Sequence, residues 1–252
     1  MILKISSNNK SCKYWNWNGF KIAWFVENEQ DYKPLLFLHG FGANSNHWRK
    51  NIKSFAKKGY SVYSLDLLGF GNSDQPGIRE IGKLDNGIWC DQVTDFIAEI
   101  IRPINSNKIV IIGNSLGGLV ALTCAVSIPE EISGIIASPL PDPISLKINH
   151  FENKLKFKTL KYKIIKLLIY LIPIEIILFV INRFRLIKYF LNFAYQKKEF
   201  IDKELFNLIS IPSKKASAAK ALRAMCLGMA TRSIKLKSSF LLKVISKVKK
   251  VP

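Results

Sequence analysis

The sequence predicts an α/β fold in which a mostly parallel sheet is flanked by helices. Short continuous apolar runs alternate with segments of helical periodicity, and one such run passes directly into a Gly-x-Ser-x-Gly turn followed by a helix. This alternation is typical of a parallel sheet covered on both faces. With 252 residues, of which 48% are hydrophobic, the chain is long enough to bury a sizeable core.

The sheet-forming segments lie in the first part of the chain. An Asn18-Gly19 pair between aromatic-rich runs predicts a hairpin. Apolar runs and helical spacing predict the remaining elements. In order, these are a strand at 35–38, a helix at about 45–58, a strand at 60–65, a helix at about 88–101, a strand at 108–112, a helix after residue 115 and a strand at 132–137.

The Gly-x-Ser-x-Gly turn predicts a serine nucleophile. Gly113 and Gly117 lack the Cβ atoms that would collide in so sharp a strand-to-helix reversal. Ser115 would then present its hydroxyl at the C-terminal edge of the sheet, in the arrangement called a nucleophile elbow. A turn that cradles phosphate would need a lysine or Gly-x-Gly-x-x-Gly spacing, and this segment has neither.

The segment His39-Gly40-Phe41-Gly42 follows an earlier predicted strand, where acyl-transfer enzymes need a backbone N–H for the developing oxyanion. We expect Phe41 and Leu116 to supply this pair of N–H groups. Gly40 and Gly42 would shape the loop and His39 would hold it in place. A plain strand-to-helix turn is the alternative.

A base for the serine is hard to find, because the chain has three histidines and only His150 follows Ser115. With Asp142, His150 satisfies the chain order of nucleophile, acid and histidine. It lies at the entrance to a helical insertion, however, with no returning strand, so we expect a solvated loop residue. His47 is expected to pack or line a pocket, and Asp66 to fix a second loop at the same sheet edge.

Positive charge is concentrated in the second part of the chain. Residues 1–150 carry 15 Lys+Arg and 13 Asp+Glu, a net +2, whereas residues 151–252 carry 23 and 5, a net +18; together these give +20. Such a surface would attract anionic lipid or nucleic acid. No nucleic-acid-binding motif accompanies it, so no nucleic-acid partner is predicted. A genome rich in Lys, Ile and Asn codons would also explain the charge.

Residues 152–172 predict a basic amphipathic helix. Its apolar stripe comprises Phe157, Leu160, Ile164, Leu168 and Leu171. The apolar run 167–181 is short for a membrane span and contains Pro173 and Glu175. An apolar lid over a site is the expected role, with peripheral membrane contact through residues 152–190 and a true span as the alternatives.

Four scattered cysteines at no metal-ligand or redox spacing fit a reducing compartment, and the first residues form no signal peptide. The sequence therefore predicts a cytoplasmic location, with membrane-peripheral contact left open. A last helix is expected at residues 239–250. No cofactor is expected, since acyl transfer by a serine needs none.

Taken together, these motifs resemble the α/β-hydrolase superfamily over essentially the whole chain. The segments 39–42, 66–73 and 113–118 carry the resemblance. More narrowly, Trp89, Gln92 and residues 139–143 are similar to the serine-nucleophile branch of cyanobacteria and plants that includes pheophytinase-like enzymes.

The resemblance implies an esterase-like serine hydrolase of a small apolar ester or related acyl substrate. It divides the chain into a core at 1–143, a helical lid at 144–238 and a return helix at 239–252. Family members continue into a further strand with the triad acid and a loop with the histidine, so the resemblance predicts a truncated chain with doubtful activity. A catalytically incomplete fragment, or a non-enzymatic binding protein with a basic membrane-associating lid, is the alternative function.

Overall fold

The computed structural model describes residues 12–138, 140–141, 155–184, 186–195, 198 and 201–247, and the structural statements that follow concern these residues. They contain six strands: β1 (Lys13–Trp17), β2 (Phe20–Glu27), β3 (Pro34–Leu38), β4 (Ser61–Leu65), β5 (Ile109–Gly113) and β6 (Ile132–Ala137). The strand order is β1-β2-β4-β3-β5-β6, with β4, β3, β5 and β6 parallel and β1 and β2 antiparallel. The predicted α/β class is confirmed.

The antiparallel edge of the sheet is the hairpin that the Asn-Gly pair predicts. Asn18 and Gly19 have positive φ angles of 49° and 82°, as the two central residues of a type I′ turn require. The Gly19 N–H also donates to Asn16 Oδ1 at 3.0 Å. The strands can therefore pair with a loop of only two residues.

Ten α-helices accompany the sheet among the described residues. They are α1 (Arg49–Ala56), α2 (Ile78–Ile81), α3 (Asn86–Phe96), α4 (Leu116–Ser127), α5 (Leu155–Leu171), α6 (Ile174–Arg183), α7 (Leu186–Ala194), α8 (Lys203–Ser213), α9 (Ala218–Thr231) and α10 (Ser238–Ile245). A 3-10 turn, Ser45–Trp48, precedes α1, and a π turn, Ile97–Ile101, extends α3. The last helix ends at Ile245, before the predicted end; residues 248–250 lie outside the described part.

The two faces of the sheet pack against different helices because side chains alternate along each strand. On β3, Leu36 and Leu38 belong to the large core beneath α3 and α4. Leu35 and Phe37 face the smaller core under α1, which also contains Ile52. All five residues are buried. This double coverage explains why the strand is a continuous apolar run.

Helix α9 is fixed to the core by backbone contact. The Leu84 N–H donates to the Ala224 carbonyl at 2.9 Å. A Cβ atom added to Gly228 would lie 2.0 Å from the Leu84 carbonyl oxygen, so only glycine permits this approach. Helix α9 therefore packs in a fixed position against the loop that precedes α3.

Helices α5, α6 and α7 form a layer outside α8 and α9. Arg223 of α9 binds the Glu175 carboxylate of α6 and donates to the Ile172 carbonyl at 3.0 Å. Asn182 of α6 and Ser213 of α8 share a hydrogen bond of 2.9 Å. Each of these contacts joins the outer layer to an inner helix.

The apolar stripe predicted on α5 does not pack on the core. Leu160, Ile164, Leu168 and Leu171 are all exposed, and the side chain of Phe157 lies outside the described part. Among the described residues, no single helix is long and apolar enough to cross a membrane. Only a pair, Tyr162–Leu171 with Ile174–Arg183, reaches that length and hydropathy, and it is bent by 43°.

Candidate active site

Ser115 lies between β5 and α4 in a strained backbone conformation. Its φ and ψ angles are 51° and −111°, outside the regions that residues with a side chain usually adopt. Such strain is retained where the surrounding structure enforces it, and it is concentrated at functional sites. Ser115 is partly exposed and caps α4 without a side-chain hydrogen bond, so its hydroxyl is not consumed in holding the helix.

The two glycines of the turn are required by close backbone packing. A Cβ atom on Gly113 would lie 2.2 Å from the Gly117 carbonyl oxygen. A Cβ atom on Gly117 would lie 2.3 Å from the Leu38 carbonyl oxygen, at the end of β3. Side chains at these two positions would push the helix away from the sheet, and the sharp reversal at Ser115 would be lost.

The loop after β3 lies directly against the serine turn. A Cβ atom on Gly40 would be 3.4 Å from Ser115 Cβ and 2.7 Å from Asn114 Oδ1. The Asn114 N–H donates to the Leu38 carbonyl at 3.1 Å. Gly42 has a φ angle of 72°, which favours glycine. The structure thus brings together the two segments that the sequence singles out.

Two backbone N–H groups are available at this junction. Among the hydrogen bonds of the described residues, neither Phe41 N–H nor Leu116 N–H donates to a protein acceptor. The Leu116 N–H opens α4, where the helix dipole favours negative charge. The Phe41 ring is exposed and meets the Phe70 ring edge-on at 5.8 Å. The predicted oxyanion donors therefore have free N–H groups in the two adjoining segments.

His39 is fully buried and both of its ring nitrogens are engaged. Nε2 accepts from the Leu67 N–H at 3.0 Å, and Nδ1 lies 2.8 Å from the Gly40 carbonyl oxygen. A carbonyl only accepts, so Nδ1 carries the proton and the imidazole is neutral. Burial lowers the pKa of His39 and favours the same state. The side chain joins the β3 loop to the β4 loop.

Asp66 organises the loop after β4. Its two carboxylate oxygens accept from the Ser45 N–H and the Asn72 N–H, each at 2.7 Å. A Cβ atom on Gly71 would lie 2.2 Å from Asp66 Oδ2, so the glycine turn closes tightly around the carboxylate. Asp66 is thereby committed to backbone donors, as the sequence predicts for a loop-fixing residue.

Trp89 and Gln92 of α3 hold the same loop from the other side. Trp89 Nε1 donates to the Leu68 carbonyl at 2.9 Å, and Gln92 Oε1 accepts from the Leu68 N–H at 3.0 Å. The sequence offers these two residues only through family resemblance. Their spacing of three positions, one helical turn, is the local signal that both face one loop.

The inner helix α8 also contacts the segment that follows β3. Asn44 Nδ2 donates to the Leu208 carbonyl of α8 at 2.8 Å. Arg49 binds Asp202 at 2.8 Å and Glu204 at 3.2 Å. These contacts join residues more than 150 positions apart, so no local pattern in the sequence could reveal them.

Neither of the two described histidines, His39 and His47, forms a hydrogen bond with Ser115. His39 is occupied as described above, and His47 packs edge-on against Trp48 at 5.4 Å. Burial, with Arg49 and His39 nearby, lowers the pKa of His47 to about 4. His150 and Asp142 lie outside the described residues, as does Pro139. The described part of the chain also contains no group of three or more His, Cys, Asp or Glu residues that could hold a metal ion.

The parallel sheet, the serine turn and the adjoining glycine loop define a hydrolase-type α/β protein. The family described as alpha/beta hydrolase fold matches residues 33–156, about half of the chain, including both loops of the site. The chain belongs to the α/β-hydrolase superfamily. The narrower pheophytinase-like assignment stays a prediction.

Curated relatives match about half of the chain. Epoxide hydrolase 4 of Mus musculus is 35% identical over 126 residues, which are 50% of this chain and 33% of that protein. AB hydrolase superfamily protein YfhM of Bacillus subtilis is 29% identical over 136 residues, 54% of this chain and 46% of that protein. The 1-acylglycerol-3-phosphate O-acyltransferase ABHD5 of Rattus norvegicus is 30% identical over 122 residues, which are 48% of this chain and 33% of that protein. The chain thus spans less than half of each relative's length.

Solved structures agree on the fold. An epoxide hydrolase from Vigna radiata superposes with a TM-score of 0.64 at 14% identity, covering 93% of this chain and 74% of that one. An alpha/beta hydrolase fold protein from Burkholderia ambifaria gives a TM-score of 0.60 at 16% identity, with the same coverage. At this level of identity the similarity concerns architecture alone.

Proposed function

We propose that the protein belongs to a lineage that hydrolyses ester or related acyl bonds, with Ser115 as the nucleophile. The observation that carries the proposal is the strained, partly exposed Ser115 beside the two unengaged N–H groups of Phe41 and Leu116. Oxyanion stabilisation of this kind contributes about 3 kcal/mol per donor in acyl transfer. The remaining site residues, His39, Gly40, Gly42, Gly113 and Gly117, would act by shaping the two loops.

The reaction would begin with attack of Ser115 Oγ on the carbonyl carbon. The carbonyl π electrons move to oxygen, which the Phe41 and Leu116 N–H groups would stabilise. Collapse of this intermediate breaks the bond to the leaving group and leaves an acyl-serine, which water then hydrolyses to regenerate the hydroxyl. Each half-reaction needs a base that takes the proton from the attacking oxygen and returns it to the departing oxygen, which is the leaving alcohol in the first half and Ser115 Oγ in the second.

Serine at position 115 favours acyl chemistry over epoxide opening, although several relatives are named epoxide hydrolases. A carboxylate that opens an epoxide forms an ester, which water can cleave. A serine that opens an epoxide would form an ether, which water does not cleave under the same conditions. Of these two substrate classes, a serine nucleophile therefore turns over only on the acyl one.

An apolar substrate suits the surroundings of the site. The Phe41 ring is exposed on the loop that adjoins Ser115. Phe70 lies against both Phe41 and Trp89. Apolar walls with a few convergent polar groups are the usual character of small-molecule sites.

Hydrolysis of p-nitrophenyl esters with short and long acyl chains tests the proposal. We expect turnover by the wild type that falls by about a hundredfold or more in Ser115→Ala. Ser133→Ala, a partly exposed serine on β6 outside the site, is the matched control and should retain full activity. Styrene oxide, assayed in parallel, should not be consumed.

The same assay decides between catalysis and the alternative of a non-catalytic binding protein. If wild type and Ser115→Ala hydrolyse the esters at the same rate, Ser115 does not act as a nucleophile in this chain. Styrene oxide turnover that depends on Ser115 would contradict the acyl assignment. Both results would leave the fold and family membership unchanged.

A further inference from the structure

Exposed apolar side chains are concentrated on the outer helices. Of the 21 large hydrophobic side chains that are exposed among the described residues, 15 lie between positions 160 and 193. We call the exposed apolar side chains of α5, α6 and α7 the outer apolar face. Representative members are Leu167, Leu171, Phe179, Tyr189, Phe190 and Phe193. An apolar surface of this extent on a folded protein marks an interaction site.

The outer apolar face is not simply unpacked. Each helix also has an inward side, shown by the buried residues Ile169 of α5, Ile174 of α6, and Ile187 and Leu191 of α7. Ile187 and Leu191 form a small core with Leu205 of α8. The three helices therefore carry apolar side chains on both their inner and their outer sides.

The charge around this face is positive. The described carboxylates between positions 155 and 215 are all held by arginines: Glu175 by Arg223, and Asp202 and Glu204 by Arg49. Exposed basic side chains are Lys163 of α5, Arg183 of α6 and Lys188 of α7. Lys203, Lys214 and Lys215, in or directly after α8, are also exposed. The whole region after residue 150 carries 23 basic and 5 acidic residues.

We propose that the outer apolar face docks on an anionic lipid bilayer, with α5, α6 and α7 lying in the interface. A bilayer surface satisfies both features, because its acyl region accepts apolar side chains and its anionic headgroups attract lysine and arginine. A second copy of the chain would bring two strongly basic surfaces together. Nucleic acid would match the charge and leave the aromatic and aliphatic side chains in water.

Interfacial docking fits the geometry better than a membrane span. The pair α5 and α6 is bent by 43° at the break that contains Pro173. At this bend Arg223 of α9 binds Glu175, and α9 is seated on Leu84 of the core. The bend is thus anchored to the folded core, whereas a span would have to carry Glu175 into the hydrocarbon region at considerable cost.

The proposal goes beyond the enzymatic one and does not depend on it, because no residue of the outer apolar face belongs to the serine site. Ser115→Ala should bind vesicles as the wild type does. Loss of ester hydrolysis and loss of vesicle binding are therefore separate results, and either proposal can fail alone.

Co-sedimentation of the full chain with vesicles tests the docking. We expect binding to phosphatidylcholine vesicles that contain phosphatidylglycerol, weaker binding to phosphatidylcholine alone, and partial retention at about 1 M salt, where surface charges are screened. Phe179→Ser combined with Phe193→Ser should weaken binding about tenfold or more, because both rings are largely exposed, at 66% and 90%. The control variant, Tyr32→Ser with Ile104→Ser, removes two exposed apolar side chains that lie outside the outer apolar face, and it should leave binding unchanged.

A fluorescent reporter keeps the test independent of variant stability. The five native tryptophans lie between residues 15 and 89, so Phe193→Trp adds a probe to the outer helices. Its emission should shift to the blue with anionic vesicles and be quenched by lipids brominated on the acyl chain. Lys163→Glu with Lys188→Glu should weaken binding to anionic vesicles at low salt and leave the salt-resistant part of the binding in place.

Three results would overturn the proposal. These are no vesicle binding at low salt, binding that the two serine substitutions leave intact, or a Phe193→Trp emission that brominated lipid does not quench. Concentration-dependent dimerisation that the serine substitutions abolish, without vesicle binding, would assign the face to a second copy of the chain instead.

Discussion

His39 Nε2 accepts a hydrogen bond from the Leu67 N–H at 3.0 Å, deep beneath the loops that carry the proposed oxyanion donors. With Nδ1 on the Gly40 carbonyl, the imidazole has no free lone pair to offer a serine. The histidine closest in sequence to the glycine loop is thus a structural link between two loops. A general base for Ser115 must come from elsewhere.

Removal of this link should destabilise the fold. His39→Ala leaves the Leu67 N–H and the Gly40 carbonyl buried without their partner and opens a cavity, which we expect to cost about 2–4 kcal/mol of unfolding free energy. Urea denaturation measures the change. His47→Ala, in which a half-buried ring is removed, is the control and should cost less. Equal losses in the two variants would contradict the role of His39.

Stability should fall as the pH drops below about 6.5. In the folded protein burial lowers the pKa of His47 to about 4 and also lowers the pKa of His39. The unfolded chain binds protons at these histidines near pH 6.5, whereas the folded chain binds them only at lower pH. For His47 this lowers the free energy of unfolding by up to about 3 kcal/mol between pH 6.5 and 4. Above that window the contribution is fully present.

His47→Gln isolates this contribution. The variant should show a shallower decline of unfolding free energy between pH 6.5 and 4, measured by chemical denaturation at each pH. A residual decline from His39 and from the carboxylates should remain. An unchanged slope would show that His47 titrates normally in the folded protein.

The two neighbouring glycines at the start of α4 should respond very differently to alanine. A Cβ atom on Gly117 would meet the Leu38 carbonyl oxygen at 2.3 Å, whereas the nearest atom to one on Gly118 is 3.1 Å away. We expect Gly117→Ala to cost about 3 kcal/mol or more and Gly118→Ala about 1 kcal/mol or less. Thermal unfolding compares them on the same helix, and similar melting temperatures would argue against the tight reversal.

Arg49 should hold α8 in place without contributing much to global stability. Its carboxylate partners are partly exposed, so Arg49→Met should lower the unfolding free energy by only about 1 kcal/mol. Limited proteolysis should nevertheless cleave within residues 201–217 faster than in the wild type. Lys53→Met, on the exposed side of the same helix, is the control. Unchanged cleavage in Arg49→Met would mean that other contacts retain α8.

The local signals in the sequence predict the sheet and the serine turn well. Continuous apolar runs specify β3 and β5, and the spacing of Gly113 and Gly117 specifies the turn around Ser115, because both signals depend on neighbours within a few residues. The hairpin follows from Asn18 and Gly19 for the same reason.

The arrangement of the later helices is less predictable. The amphipathic pattern of α5 identifies a helix, yet periodicity alone does not say what covers its apolar stripe, and the structure leaves Leu160 and Leu168 exposed. Contacts such as Asn44 with the Leu208 carbonyl depend on the packing of distant segments. The end of α10 at Ile245 also falls before the predicted end, since helix termini are set by caps more than by hydrophobic spacing.

The most direct test of the central claim is covalent labelling with a fluorophosphonate, followed by mass spectrometry of the digested protein. Acyl chemistry at the turn predicts one adduct on Ser115, absent from Ser115→Ala and retained in Ser133→Ala. Equal labelling of wild type and Ser115→Ala, or no adduct on Ser115 in the wild type, would contradict the assignment of Ser115 as the nucleophile.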